Sequence, residues 1–95
     1  MSGYVYIMAS KKNGTIYTGD TSDLQGRVWE HRNDIYPGFT SKYGCKTLVW
    51  FEHLENITIA IKREKAVKKH LRKRKIELIE NANPKWEDLF DQIYN

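Results

Sequence analysis

The stretch YVYIMASKKNGTIYTG, residues 4–19, decides how this chain begins. Residues 4–8 are aromatic, β-branched and apolar, which predicts a strand. Asn13-Gly14 is a strong short hairpin signal, so residues 16–19 are expected to return antiparallel to it. A two-residue turn would pair Lys12 with Thr15, Ser10 with Tyr17 and Met8 with Gly19. Cross-strand partners share a face. Tyr4, Tyr6, Met8, Tyr17 and Gly19 then lie on one side of the ribbon, and Val5, Ile7 and Ile16 on the other.

Working outward, Thr21-Ser22-Asp23 offers an N-cap for a helix running to Asn33 or Asp34. Leu24, Val28 and Ile35 share its apolar stripe, His31 falls on that stripe, and Arg27 sits at its edge one turn earlier. Tyr36-Pro37-Gly38 opens a loop through Gly44. Residues 46–53 predict a third strand, apolar on both sides at Leu48, Val49, Trp50 and Phe51, as a central or doubly covered strand would be. Residues 56–74 predict a long helix and residues 75–80 a short one, stopped at Asn83-Pro84. Pro84 can start a last turn that docks Trp86, Leu89 and Phe90 on the body.

The helix at 56–74 carries one residue that its pattern does not explain. Ile57, Ala60, Ile61, Val67 and Leu71 form an apolar stripe at about 100° per residue, and Glu64 lies in the middle of it. A carboxylate turned toward a core costs several kcal/mol, roughly, unless a cation compensates it. Its partner therefore bears directly on function, and a structural Arg27–Glu64 ion pair is one candidate.

Ninety-five residues suit one small domain, with a core over about 3–80 and a docked tail at 81–95. No apolar run approaches the roughly 20 residues of a membrane span. A single cysteine, Cys45, allows no internal disulfide, so a reducing cytoplasm is expected. His53 and His70 have no ligand spacing with other residues, which argues against zinc. Net charge is +4, and nine of the sixteen Lys and Arg lie between Lys62 and Lys75. That asymmetry points to a polyanion, nucleic acid above all. Lys62, Lys65, Lys69, Arg72 and Lys73 are the candidate phosphate contacts.

The ordered set Tyr4-Val5-Tyr6, Tyr17-Thr18-Gly19, Arg27, His31 and Glu64 resembles the GIY-YIG nuclease superfamily, and most closely its small stand-alone, uncharacterised type. Gly38-Phe39-Thr40, Lys42-Tyr43-Gly44 and Asn83-Pro84 extend the likeness over essentially the whole chain. The resemblance implies an α/β (α+β) fold: a three-stranded antiparallel sheet flanked by helices. It implies divalent-metal-dependent endonuclease activity on DNA, structure-selective and linked to repair or recombination. In that scheme Tyr6 and Tyr17 flank the scissile phosphate, Arg27 contacts phosphate and His31 orients the nucleophile. Glu64 would hold one Mg²⁺ or Mn²⁺ ion.

Tyr4 and Val5 stand where the family name has Gly and Ile, a common variation, and two further residues depart from the pattern. Thr18 replaces an apolar residue, and Asp20 follows the glycine where relatives carry lysine or an apolar side chain. An acid there repels phosphate or lends the metal a second carboxylate. RNA as substrate, a protein partner, a non-catalytic nucleic-acid-binding module and a protein-interaction domain stay open as alternatives.

Overall fold

β1 (Gly3–Ala9) is the middle strand of a three-stranded antiparallel sheet ordered β2-β1-β3, with β2 at Ile16–Thr21 and β3 at Thr47–Leu54. The structure, a computed structural model, describes residues 2–93. Met1, Tyr94 and Asn95, at the ends of the expected 1–95 domain, lie outside the described residues. The helices are α1 (Leu24–Arg32), α2 (Phe39–Tyr43), α3 (Ile57–Lys69), α4 (Arg72–Ala82) and α5 (Phe90–Ile93). Among the described residues, no helix is long and apolar enough to cross a membrane.

The hairpin forms with a register two residues from the expected one. Met8 faces Tyr17 and Tyr6 faces Gly19. The loop is longer because Lys11 to Gly14 makes its own turn, with the Gly14 N–H donating to the Lys11 carbonyl at 2.9 Å. The Ser10 hydroxyl accepts from the Thr15 N–H at 3.0 Å and closes the ladder there. An even shift keeps every side chain on its predicted face, because strand facing repeats every two residues.

The two faces build two cores. Val5, Ile7 and Ala9 pack with Val49, Trp50, Ala60, Val67, Ile79 and Trp86 under α3 and α4. Tyr6 and Met8 pack with Leu24, Val28, Cys45 and Leu48 beneath α1 and the C-terminal tail. Each fully buried aliphatic side chain contributes roughly 1.5–3 kcal/mol. β3 is not central but an edge strand, covered on both faces. Its apolar run on both sides comes from a bulge: Ile7 pairs with Trp50 and Met8 with Leu48, which leaves Val49 as the extra residue. A bulge sets two successive side chains on one face, and Val49 and Trp50 both join the α3 side.

The bulge is tied to the tail by Asn83. Its side-chain amide donates to the Val49 carbonyl at 3.0 Å and the Glu87 carbonyl at 2.8 Å, and its oxygen accepts from the Glu87 N–H at 3.0 Å. The Leu89 N–H then donates to the Leu48 carbonyl, so the tail shields part of the β3 edge. Trp86 is buried with its indole N–H donating to Glu80, although its φ of 57° is unusual for a bulky residue. Pro84 starts no helical turn; the last helix begins at Phe90. Asn83→Ala leaves a buried carbonyl and two tail groups without partners. It should cost about 2–4 kcal/mol, measured by urea unfolding, with m unchanged.

The long basic helix is two helices. α3 ends at Lys69, His70 and Leu71 are extended, and α4 begins at Arg72. Ile61 and Leu71 are exposed, so the buried stripe is Ala60, Glu64 and Val67, with Ile57 partly buried at its start. α3 approaches the sheet closely at Gly3, where a Cβ would lie 2.6 Å from the Asn56 carbonyl and 2.8 Å from Ala60 Cβ. Glu64 is one turn beyond that contact.

Candidate active site

Tyr6 is fully buried in the middle strand, and its hydroxyl lies 2.9 Å from His31 Nε2. His31 Nδ1 lies 3.0 Å from the Thr40 hydroxyl. α1 supplies His31 in its last turn, and the short α2 supplies Thr40. With Nδ1–H donating to Thr40, Nε2 is free to accept from the tyrosine. Burial and then the Arg27 cation lower the His31 pKa, so the imidazole is neutral at pH 7. Burial and the neighbouring Tyr17 push the Tyr6 phenol up, against an opposing pull from Arg27, so Tyr6 is neutral as well.

Tyr17 joins this group through ring contacts, 6.3 Å from Tyr6 and 5.6 Å from His31 between centroids. Gly19 makes that convergence possible. A Cβ there would stand 2.6 Å from the Tyr6 hydroxyl oxygen and 3.0 Å from Tyr17 Cε2. A cleft of about 380 Å³ opens beside them, lined by Tyr17, Arg27, His31 and the 36–40 segment. Arg27 is exposed and pairs with Glu30, Nε to Oε1 at 3.2 Å. Gly26 beside it is explained by the cap: its N–H donates to the Asp23 carboxylate, which a Cβ at Gly26 would meet at 2.3 Å.

Glu64 approaches from the opposite face of the sheet. Its partner is not Arg27 but Lys68, with Nζ 2.8 Å from Oε2. The contact is ionic rather than directed: Oε2 is buried and accepts no hydrogen bond. Asp20, opposite Val5 on the α3 side of β2, stands against Glu64. Its pKa is raised, first by burial and then by hydrogen bonding and repulsion from Glu64. Lys68 links the two halves, its ammonium 5.9 Å from the Tyr17 ring centre. The predicted groups therefore do not meet over one sheet face but straddle β2, an edge strand of the sheet.

A carboxyl whose folded pKa exceeds its ordinary value of 3.8 opposes folding once ionised. The penalty is full at neutral pH and fades as pH falls through the raised value. Asp20→Asn should therefore raise the melting temperature of metal-free protein at pH 7, with the gain vanishing below about pH 3.8. Thermal melts in EDTA across that range read it directly.

Of the basic candidates, Lys62, Lys65, Lys69 and Lys73 are exposed on α3 and α4. Arg72 is engaged instead, donating to the Asn13 and Gly14 carbonyls of the hairpin turn. Cys45 is buried, its thiol pushed up by burial and donating to the Thr15 carbonyl, which excludes a nucleophilic role. Thr40 and Lys68 are site members that the sequence reading did not single out. Lys68 had a signal in its i,i+4 spacing from Glu64.

The chain resembles known proteins in sequence and fold. The family model of the GIY-YIG catalytic domain matches residues 2–77. The chain belongs to the GIY-YIG family. Its similar relatives are UPF0213 proteins, small stand-alone members of that family. One from Clostridium perfringens is 37% identical over 90 residues, covering 95% of this chain and 96% of the relative. One from Staphylococcus saprophyticus is 33% identical over 76 residues, covering 80% and 92%. The solution NMR structure of a UPF0213 protein from Bacillus halodurans is 30% identical, with a TM-score of 0.57 over 93% of both chains.

Proposed function

We propose that this protein is an endonuclease that hydrolyses phosphodiester bonds in DNA with one divalent cation, Mg²⁺ or Mn²⁺, held at Glu64. The observation that carries the reading is the buried Glu64 carboxylate, its Oε2 2.8 Å from the Lys68 ammonium, set beside Asp20 and across β2 from the Tyr6–His31 pair. Among the described residues, no three His, Cys, Asp or Glu side chains cluster. One or two carboxylates nevertheless suit a hard cation that keeps several waters and takes its remaining ligands from substrate phosphate. Bound there, the cation would polarise the phosphate and offset developing charge.

The chain's own groups divide the remaining work. Arg27 borders the cleft, and its guanidinium grips phosphate oxygens. His31, neutral at pH 7 and lining the cleft, takes the proton of the attacking water, and the buried Tyr6 hydroxyl at its Nε2 holds the ring for that step. Thr40 holds the imidazole in its orientation. Tyr17, partly exposed beside the cleft, orients the substrate. Lys62, Lys65, Lys69 and Lys73 supply salt-dependent affinity for the backbone. Cytoplasmic residence, where Cys45 stays a thiol, and a role in repair of branched or flapped DNA complete the reading.

One observation favours a second reading, a non-catalytic nucleic-acid-binding module. Lys68 already neutralises Glu64, as a metal would. Manganese uptake separates the two readings. Titration of free Mn²⁺, followed by electron paramagnetic resonance, should show one site in the wild type that is lost in Glu64→Gln. No uptake by folded wild type would leave the binding module.

A further inference from the structure

Resting on the nuclease reading above, we infer that the aromatic rings beside the cleft bind unpaired bases, making single-stranded DNA the substrate class. From Tyr17 at the site, rings continue outward without interruption. Phe39 lies 5.9 Å from Tyr17, and Tyr43 lies 4.6 Å from Phe39, both centroid to centroid. Tyr36 borders the same cleft. These side chains are unusually open for large rings: Tyr36 is 66% exposed, Phe39 45% and Tyr43 46%.

The core does not need them, since both buried clusters close without Tyr36, Phe39 or Tyr43. α2 holds Phe39 and Tyr43 one turn apart, and its buried Thr40 fixes it to His31. A ring strip anchored to the catalytic histidine keeps its register with the site. Charge complements the rings. Lys42 and Lys46 fall in this segment; Lys46 pairs with Asp34 at 2.8 Å, while the Lys42 ammonium sits 5.4 Å from the Tyr43 ring centre.

Rings interleaved with cations match the chemistry of a single strand, whose bases stack on aromatic faces while its phosphates meet the charges. A duplex keeps its base faces stacked internally and meets a protein through phosphates and groove edges. Open rings along the approach to the site therefore gain little from a duplex and much from unpaired nucleotides.

The test is fluorescence anisotropy in EDTA, where no cleavage occurs, with a labelled 20-nucleotide oligo-dT and a blunt 20-base-pair duplex. Wild type should bind the single strand more tightly. Tyr36→Ala and Tyr43→Ala should each weaken single-strand binding about tenfold or more and leave duplex binding unchanged. Tyr43→Trp should retain it. Both tyrosines are exposed, so the variants should fold, and circular dichroism checks this. Equal losses on strand and duplex, or no loss on the strand, would overturn the inference. So would a concentration-dependent dimer that the same substitutions abolish, since the patch would then be a self-interface. If wild type cleaves DNA with Mg²⁺ yet the tyrosine variants bind the strand normally, the base platform fails and the nuclease reading stands. If wild type binds the strand through these rings but never cleaves, the nuclease reading fails alone.

Discussion

Glu64→Gln should lower metal-dependent cleavage by about three orders of magnitude, roughly 4 kcal/mol of transition-state stabilisation, and leave the fold intact. The substitution keeps the shape of the side chain and one carbonyl oxygen, but removes the charge that would hold a divalent ion. The structural cost is small. The ion pair that is lost joins Glu64 to a half-exposed Lys68, and exposed ends of such pairs contribute little. Repulsion between Glu64 and Asp20 disappears at the same time. Melting temperature should therefore stay close to that of wild type. A variant that unfolds instead would mark Glu64 as a structural member of the Lys68 pair. A folded variant that still cuts would remove the carboxylate from the chemistry.

Gly19→Ala should damage both stability and cleavage. Its Cβ would stand 2.6 Å from the Tyr6 hydroxyl oxygen and 2.7 Å from Tyr6 Cζ. Tyr6 is fully buried, so the ring has no open space to enter. Overpacking of this kind costs about 1–3 kcal/mol, and about 4–8 °C of melting temperature for each kcal/mol in a domain of this size. Moving the Tyr6 hydroxyl also breaks its 2.9 Å contact with His31. A displacement of about 1 Å at a reacting group can cost about a hundredfold in rate. Adding Tyr6→Phe to Gly19→Ala removes the hydroxyl clash but keeps the Cζ clash. Stability should recover in part and cleavage should not. Thermal melts and single-turnover cleavage separate the two effects. Recovery of both would mean that the Tyr6 hydroxyl does not hold His31 for proton transfer.

Much of this arrangement was legible in residues 4–19. Strand alternation placed Tyr6, Tyr17 and Gly19 on one face, and the two-residue register error left that result untouched. The error itself came from Ser10, whose side chain closes the hairpin ahead of the Asn-Gly pair. Glu64 was visible because helical spacing put an acid on an apolar stripe. Its neighbours were harder to find. Lys68 was one base in a run of nine, and only its i,i+4 spacing set it apart. Asp20 meets Glu64 on the α3 side of β2, a contact that depends on which strand α3 packs beside. The apolar run of β3 suits a central or doubly covered strand; it is the second, a covered edge with a bulge at Val49 that Asn83 caps from 34 residues away. The break between α3 and α4 carries neither Gly nor Pro, and α2 is only five residues long, so periodicity had nothing to mark either feature.

The central claim is hydrolysis that depends on a divalent ion at Glu64. It is tested most directly by incubating purified wild type with end-labelled single-stranded, flapped, branched and duplex DNA in Mg²⁺, Mn²⁺ or EDTA. Glu64→Gln is run beside it, and both proteins are shown to be folded. Discrete cleavage products are expected with Mg²⁺ or Mn²⁺, none in EDTA, and none with Glu64→Gln under any condition. Folded wild type that leaves every substrate intact, or cleavage that persists in EDTA or in Glu64→Gln, would contradict it.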